Sequence, residues 1–112
     1  MANIFNEGFR NFISALNNNG VKYILVGGFA VILHGHARVT GDMDVWIESR
    51  EENYISLVKA FKEFGMSLFD MTKDKFLSID IMTKVKGLDF NEAYYHSKIF
   101  SDEGLLIRTP AF

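Results

Sequence analysis

The chain contains no cysteine and a single proline among its 112 residues. Without cysteine it can form neither a disulfide framework nor a thiolate metal site, which is in keeping with a reducing cytoplasm. Charges or glycines interrupt every apolar run before it reaches the about 20 residues that a membrane-spanning helix requires. The N-terminal segment MANIFNEGFRNF lacks the basic start and long apolar stretch of a secretory signal. We therefore expect a cytoplasmic protein with no membrane partner.

A strong basic charge is also missing. The formal net charge is −2, and no run of lysine and arginine stands out. Proteins that bind a long nucleic-acid backbone usually present a basic face, so composition does not favour a polynucleotide partner. Apolar residues are abundant instead, at 48% of the chain with 11 phenylalanines. This fraction predicts one folded domain over residues 1–112 with a single well-filled core.

Hydrophobic periodicity predicts alternating helices and strands. The predicted elements are a Phe-rich helix over 5–16 ended by Gly20, a strand over 21–26, a short helix from 29 to about 34, a strand over 42–48, a helix over 51–64 ended by Gly65, strands over 66–70 and 75–83, a helix over 88–97 capped by Asp89, and a hairpin over 98–110 that turns at 102–104. With one antiparallel pair, this order predicts an α+β fold in which helices pack against a mixed sheet. The stripe of Phe5, Phe9 and Phe12 is expected to be core or an oligomer contact.

Two aspartates lie close together in the predicted strand over 42–48. Strand side chains alternate between faces, so Asp42 and Asp44 share one face while Met43 and Val45 belong to the other. Two neighbouring carboxylates raise each other's pKa. Mg²⁺, which prefers a few carboxylates together with phosphate oxygens and water, would relieve this repulsion. The alternative is a polar strand edge with solvated carboxylates.

A third aspartate lies in the most apolar strand of the second half, between Ile79 and Ile81. An unpaired charge in the middle of a strand is costly, so Asp80 needs a cation, a metal ion or a hydrogen-bond donor as its partner. If its strand lies beside the Asp42/Asp44 strand, three carboxylates converge, which is the outline of a two-metal site. The alternative is an ion pair between Asp80 and Arg38 or a lysine.

Gly27 and Gly28 follow directly after a predicted strand and open a predicted helix. Backbone N–H groups at such a turn can approach an anion closely, so the pair predicts a phosphate cradle that faces the carboxylates. Without the aspartates, the pair would be explained equally well as a tight turn that needs positive φ.

The run GGFAVILHGHARVTGDMDV resembles the small bacterial nucleotidyltransferases of the DNA polymerase beta-like superfamily, among them lincosamide-modifying enzymes and abortive-infection toxins. The likeness rests on the glycine pair, its spacing from Asp42, and an Arg-x-Thr-x-Asp-x-Asp motif. It implies the nucleotidyltransferase fold and transfer of a nucleoside monophosphate from an NTP such as ATP to a hydroxyl or phosphate acceptor. It also implies two Mg²⁺ ions on Asp42, Asp44 and Asp80, and a nucleotide site that comprises Gly27, Gly28, Arg38 and Thr40.

The chain departs from this pattern at its end, because the relatives usually continue from a segment like IRTPAF into a helix and a Lys-rich stretch. We therefore expect a single minimal nucleotidyltransferase domain that lacks this helix. The alternative function is an inactive or partner-dependent module of the same fold, similar to a toxin–antitoxin component. A homodimer or a partner chain would then complete it. The acceptor in such families is a small molecule, a protein or tRNA, and a purely structural domain is a third alternative.

Several further side chains have two interpretations each. Arg38 could contact phosphate or tether its loop to a carboxylate. Trp46, on the aspartate face, could stack on a base, although packing beside the site is favoured. His34 and His36 do not share a helix face, so metal ligation by them is not favoured. The sequence does not decide whether Tyr94, Tyr95 and His96 line an acceptor pocket or simply pack.

Overall fold

Three helices and five strands follow one another in the part of the chain that the computed structural model describes, residues 7–27, 42–65 and 78–110. They are α1 (Glu7–Asn18), β1 (Tyr23–Val26), β2 (Asp42–Ile47), α2 (Glu51–Phe64), β3 (Ser78–Met82), α3 (Phe90–Tyr95), β4 (Lys98–Asp102) and β5 (Leu105–Thr109). The predicted helix over 29–34 and the predicted strand over 66–70 lie outside the described residues. None of the described helices is long and apolar enough to cross a membrane.

The strands form two sheets. In the first, β2 lies between an antiparallel β1 and a parallel β3. In the second, β4 and β5 form the predicted hairpin. The described strands thus contain two antiparallel pairs rather than the predicted one, because the chain reverses direction between β1 and β2 as well as inside the hairpin. A mixed sheet with helices packed on it is an α+β arrangement in the general sense predicted.

One face of the three-stranded sheet forms the core with α1, α2 and β5. Along β2 this face presents Met43, Val45 and Ile47, all buried. The core side chains of α1 and α2 include Phe9, Phe12, Ile13, Leu16, Leu57, Ala60 and Phe61. The ring of Phe12 lies 5.4 Å from those of both Phe61 and Phe64, measured between centroids. Phe9 and Phe12 are therefore core residues, as predicted, while Phe5 lies outside the described residues.

Local sequence features set several element boundaries. Gly65, at φ 89°, ends α2 by donating its N–H to the carbonyls of Phe61 and Lys62. Asp89 caps α3 by accepting a 3.0 Å hydrogen bond from the Glu92 N–H. Each of these caps was predicted from residue type and position, because both motifs depend only on neighbours in the sequence.

β1 begins two residues later than predicted. The Val21 N–H donates to the Leu16 carbonyl at 3.0 Å, which ties this residue to the end of α1. The Lys22 N–H donates to Asn53 Oδ1 at 2.8 Å. These donors are satisfied by a helix carbonyl and by a side chain on α2, so neither N–H takes part in the β ladder.

Candidate functional site

The parallel pairing of β2 and β3 aligns two of the predicted acidic positions. In the Cα register Asp44 pairs with Asp80, and Asp42 pairs with Ser78. Neighbouring strands lie about 4.8 Å apart, and residues at alternate positions of a strand belong to the same face. The sequence interpretation depended on β2 and β3 being neighbouring strands, and the backbone shows that they are. The side chains of Asp42 and Asp80 lie outside the described part of the structure.

Gly27 lies where β1 ends, next to the same acidic strand. Its neighbour Val26 pairs with Asp44 across the antiparallel ladder. Gly27 has φ 75°, the positive φ that the tight-turn alternative for the glycine pair requires. A Cβ at this position would overlap Asp44 Oδ2 and lie 3.3 Å from Asp44 Cγ. The half-buried carboxylate of Asp44 can lie against this backbone only because residue 27 is glycine.

The donor chemistry at this end of the sheet fits a hard cation. Carboxylate oxygens are ligands that Mg²⁺ prefers, and the carboxylate of Asp44 lies against the backbone of Gly27. Among the side chains that the structure describes, no three His, Cys, Asp or Glu residues group closely enough to bind a metal ion. Of the predicted metal ligands, only Asp44 has a described side chain. Gly28, Arg38, Thr40, His34 and His36 lie outside the described residues.

Trp46 lies on the aspartate face of β2, two residues beyond Asp44. Its side chain is 3% exposed, and its ring packs edge-on against Phe90 of α3, with centroids 5.2 Å apart and planes at 86°. The packing interpretation of Trp46 is therefore confirmed. Its indole Nε1 is buried and has no hydrogen-bond partner in the part of the chain that the structure describes.

The aromatic residues of α3 fall into two groups. Tyr94 stacks on Phe90 at 5.5 Å between centroids, and the Arg108 guanidinium lies 4.2 Å above the Tyr94 ring. Tyr95 is 84% exposed and touches His96 edge-on. Tyr94 is therefore a packing residue, whereas the ring of Tyr95 faces solvent.

The other end of β1 has a different kind of polar group. The buried hydroxyl of Tyr23 donates to Asn17 Oδ1 at 3.0 Å and accepts the Arg108 N–H at 3.4 Å. Burial raises the pKa of Tyr23 to about 12, and the hydrogen bond from the Arg108 backbone offsets part of that rise. This hydroxyl holds α1, β1 and β5 together and is not poised for proton transfer near neutral pH.

Two polar arrangements were missed by sequence reasoning. Arg10 Nη1 lies 2.7 Å from Asp102 Oδ2, an ion pair that links α1 to the hairpin turn. Asn53, buried in α2, donates to the carbonyls of Lys22 and Glu48 at 3.0 Å each. The partners in these bonds are far apart in sequence or lie on different elements, so no local pattern indicates them.

Comparison of the chain with protein-family models, with curated proteins and with solved structures finds no match in any of the three. At this end of the sheet a carboxylate lies against a glycine of positive φ, and a second acidic position is aligned on the next strand. Acidic positions aligned in this way are of the kind that can hold a divalent cation.

Proposed function

We propose that this chain is a nucleotidyltransferase of the DNA polymerase beta-like superfamily, with the corresponding fold. It would transfer a nucleoside monophosphate from an NTP to a hydroxyl or phosphate acceptor. The observation that supports this most is the in-register pairing of Asp44 with Asp80 beside the close approach of Gly27 to Asp44. The sequence resemblance requires acidic positions on neighbouring strands, and the backbone register meets that requirement.

The electrostatics of the pairing favour a bound cation. Two acidic residues directly opposite each other on adjacent strands repel, and each such pair weakens the sheet unless a positive charge lies between them. The same face continues with Trp46, a buried aromatic residue, so this is not a uniformly solvated polar edge. A divalent cation between the two carboxylates would be attracted to both, and the two acidic positions would then form a cation site.

Each residue then has a defined role in the proposal. Asp42 and Asp44 would hold both Mg²⁺ ions, and Asp80 would complete one metal site and accept the proton of the attacking hydroxyl. The N–H groups of Gly27 and Gly28 would bind the triphosphate. Arg38 and Thr40 are assigned to the same nucleotide site. Bound Mg²⁺ would supply charge neutralisation for the phosphates and would activate the acceptor oxygen.

The proposed reaction forms one bond to phosphorus and breaks one. The acceptor oxygen forms a bond to the α-phosphorus in line with the bond that breaks, and pyrophosphate leaves with that electron pair. Because the sequence resemblance leaves the acceptor open, the proposal covers small-molecule, protein and tRNA acceptors.

The test is label transfer from α-labelled ATP in Mg²⁺, offered separately to small-metabolite, protein and tRNA fractions. We expect transfer to one fraction by the wild-type chain and a loss of at least about 100-fold in Asp44→Asn, since a metal ligand carries much of the barrier reduction. Glu51→Gln, which removes an exposed acid on α2, is the matched control and should retain wild-type activity.

Transfer at the wild-type rate by Asp44→Asn would overturn the proposal. Binding of Mg²⁺ and ATP without transfer to any fraction would favour the alternative instead, a module of this fold that is inactive or needs a partner chain.

A further inference from the structure

The solvent-facing side of α2 carries apolar residues at its centre. Ile55 is 52% exposed and Val58 is 43% exposed, and Tyr54 beside them is 39% exposed. The opposite side of the helix is the one that packs into the core. Single exposed apolar residues are ordinary on a protein surface, but neighbouring ones on one helix face form a patch that a partner can cover.

Ile55 and Val58 belong to a straight line of residues that begins at Glu51 and ends at Lys62. The positions 51, 55, 58 and 62 are separated by steps of four, three and four, the spacing that forms the seam of a coiled coil. All four residues are exposed, and we call them the α2 stripe. Its two ends carry opposite charges and lie about 16 Å apart along the helix axis.

The charged ends of the α2 stripe have no partner within the described part of the chain. Neither Glu51 nor Lys62 forms an ion pair with any residue that the structure describes. An acid in the first turn and a base in the last turn also suit the helix macrodipole. The macrodipole does not account for the two exposed apolar residues between them, whereas a partner with the complementary order of side chains accounts for all four.

The α2 stripe is complementary to itself. If a second α2 runs in the opposite direction, a two-fold axis midway between Ile55 and Val58 places these two residues level with each other across the contact. The same axis places Glu51 of each copy level with Lys62 of the other. A parallel pair would instead bring Glu51 beside Glu51, so the charges select the antiparallel arrangement. We propose that the chain forms a symmetric homodimer through the α2 stripe.

This surface lies on the opposite side of the sheet from the proposed metal site. The helix packs on the face of β2 that presents Met43, Val45 and Ile47, whereas Asp44 belongs to the other face. The inference therefore does not rest on the proposed function. One face of a 14-residue helix is a small contact, so we expect a reversible dimer whose population rises with protein concentration.

The experiment is sedimentation velocity of the full chain over a range of concentrations. For the wild type we expect the average mass to rise from 12.8 kDa toward twice that value. Ile55→Gln/Val58→Gln removes the apolar pair and should weaken association about tenfold or more. Glu51→Lys and Lys62→Glu should each weaken it as well, because like charges then meet. Lys98→Glu, which reverses an exposed lysine on β4, is the matched control and should associate as the wild type does.

A mixture of the two charge-reversed chains tests the antiparallel register. When a Glu51→Lys chain meets a Lys62→Glu chain, each contact between positions 51 and 62 again joins opposite charges. Association in the mixture should therefore return to about the wild-type strength, while each variant alone stays weak. A variant that had simply lost its fold would not be rescued in this way.

Three results would overturn the inference. They are a wild-type mass that stays at 12.8 kDa up to about 1 mM, unchanged association in Ile55→Gln/Val58→Gln, and a mixture that is no stronger than its components. Glu51→Gln separates this inference from the proposed function, since it should weaken association and retain label transfer. A wild-type dimer that transfers no label leaves the inference standing and removes the transferase proposal, and label transfer by a strictly monomeric chain has the reverse meaning.

Discussion

The two ends of β1 lie one short strand apart and differ in chemistry. At Tyr23 a buried hydroxyl donates one hydrogen bond and accepts another, both within the chain. At Gly27 a carboxylate lies against a backbone that has room for it only without a Cβ. The first end is explained by packing and hydrogen bonding alone. The second brings a half-buried charged group against glycine backbone, and it is to this end that we assign the proposed metal and nucleotide site.

The largest change in stability should come from adding a side-chain atom at Gly27, at the second end of β1. Gly27→Ala adds a Cβ that overlaps Asp44 Oδ2, at a backbone φ of 75°. We expect the free energy of unfolding to fall by about 2–4 kcal/mol, from the left-handed backbone together with the overlap. Urea denaturation without metal or nucleotide measures this change.

Gly20→Ala is the matched control for that substitution. Gly20 has a similar φ of 67°, yet nothing lies within 4 Å of a Cβ built there. Its cost should be about 1–2 kcal/mol from the backbone alone. Equal losses of stability in Gly27→Ala and Gly20→Ala would contradict the close approach of Asp44 to Gly27. In the Asp44→Ala background, the excess cost of Gly27→Ala should disappear.

A smaller change in stability, confined to alkaline pH, should come from replacing Tyr23 at the first end of β1. The folded-state pKa of Tyr23 is raised to about 12, so its contribution is complete below the ordinary tyrosine pKa and is lost as pH rises through the folded value. Between pH 8 and 11 the wild type should lose about 1.4 kcal/mol more stability than Tyr23→Phe does. Urea midpoints across that pH range measure this difference.

Tyr54→Phe provides the comparison, because Tyr54 is 39% exposed and lies on α2. It should follow the wild-type pH dependence throughout. If Tyr23→Phe also follows the wild-type curve, the hydroxyl is not held in a buried, neutral form, and the contrast between the two ends of β1 is weaker than described.

Local sequence patterns predicted most of the described elements. The caps at Gly65 and Asp89 and the hairpin turn before β5 depend on residues adjacent in sequence, and all three are present. The alternation along β2 likewise separates Met43 and Val45 from the aspartates, since a strand has a fixed period of two.

Features that depend on distant residues were not predictable. The start of β1 is set by Asn53 from α2, and the pairing of Arg10 with Asp102 joins opposite ends of the chain. The register that aligns Asp44 with Asp80 is of the same kind. From the sequence we could predict that the acidic positions converge if these two strands are neighbours. We could not predict that the strands are neighbours, because strand order is decided by the whole core.

The most direct test of the central claim is a thermal melt of the protein with ATP, with Mg²⁺, with both and with neither. A ligand bound only by the folded state at a hundredfold excess over its dissociation constant adds about 2.7 kcal/mol of stability. We expect a rise in the melting midpoint that needs Mg²⁺ and ATP together, is absent in Asp44→Asn and is retained in Glu51→Gln. A rise of equal size in Asp44→Asn, or none in the wild type, would contradict a metal–triphosphate site at the Gly27 end of the sheet.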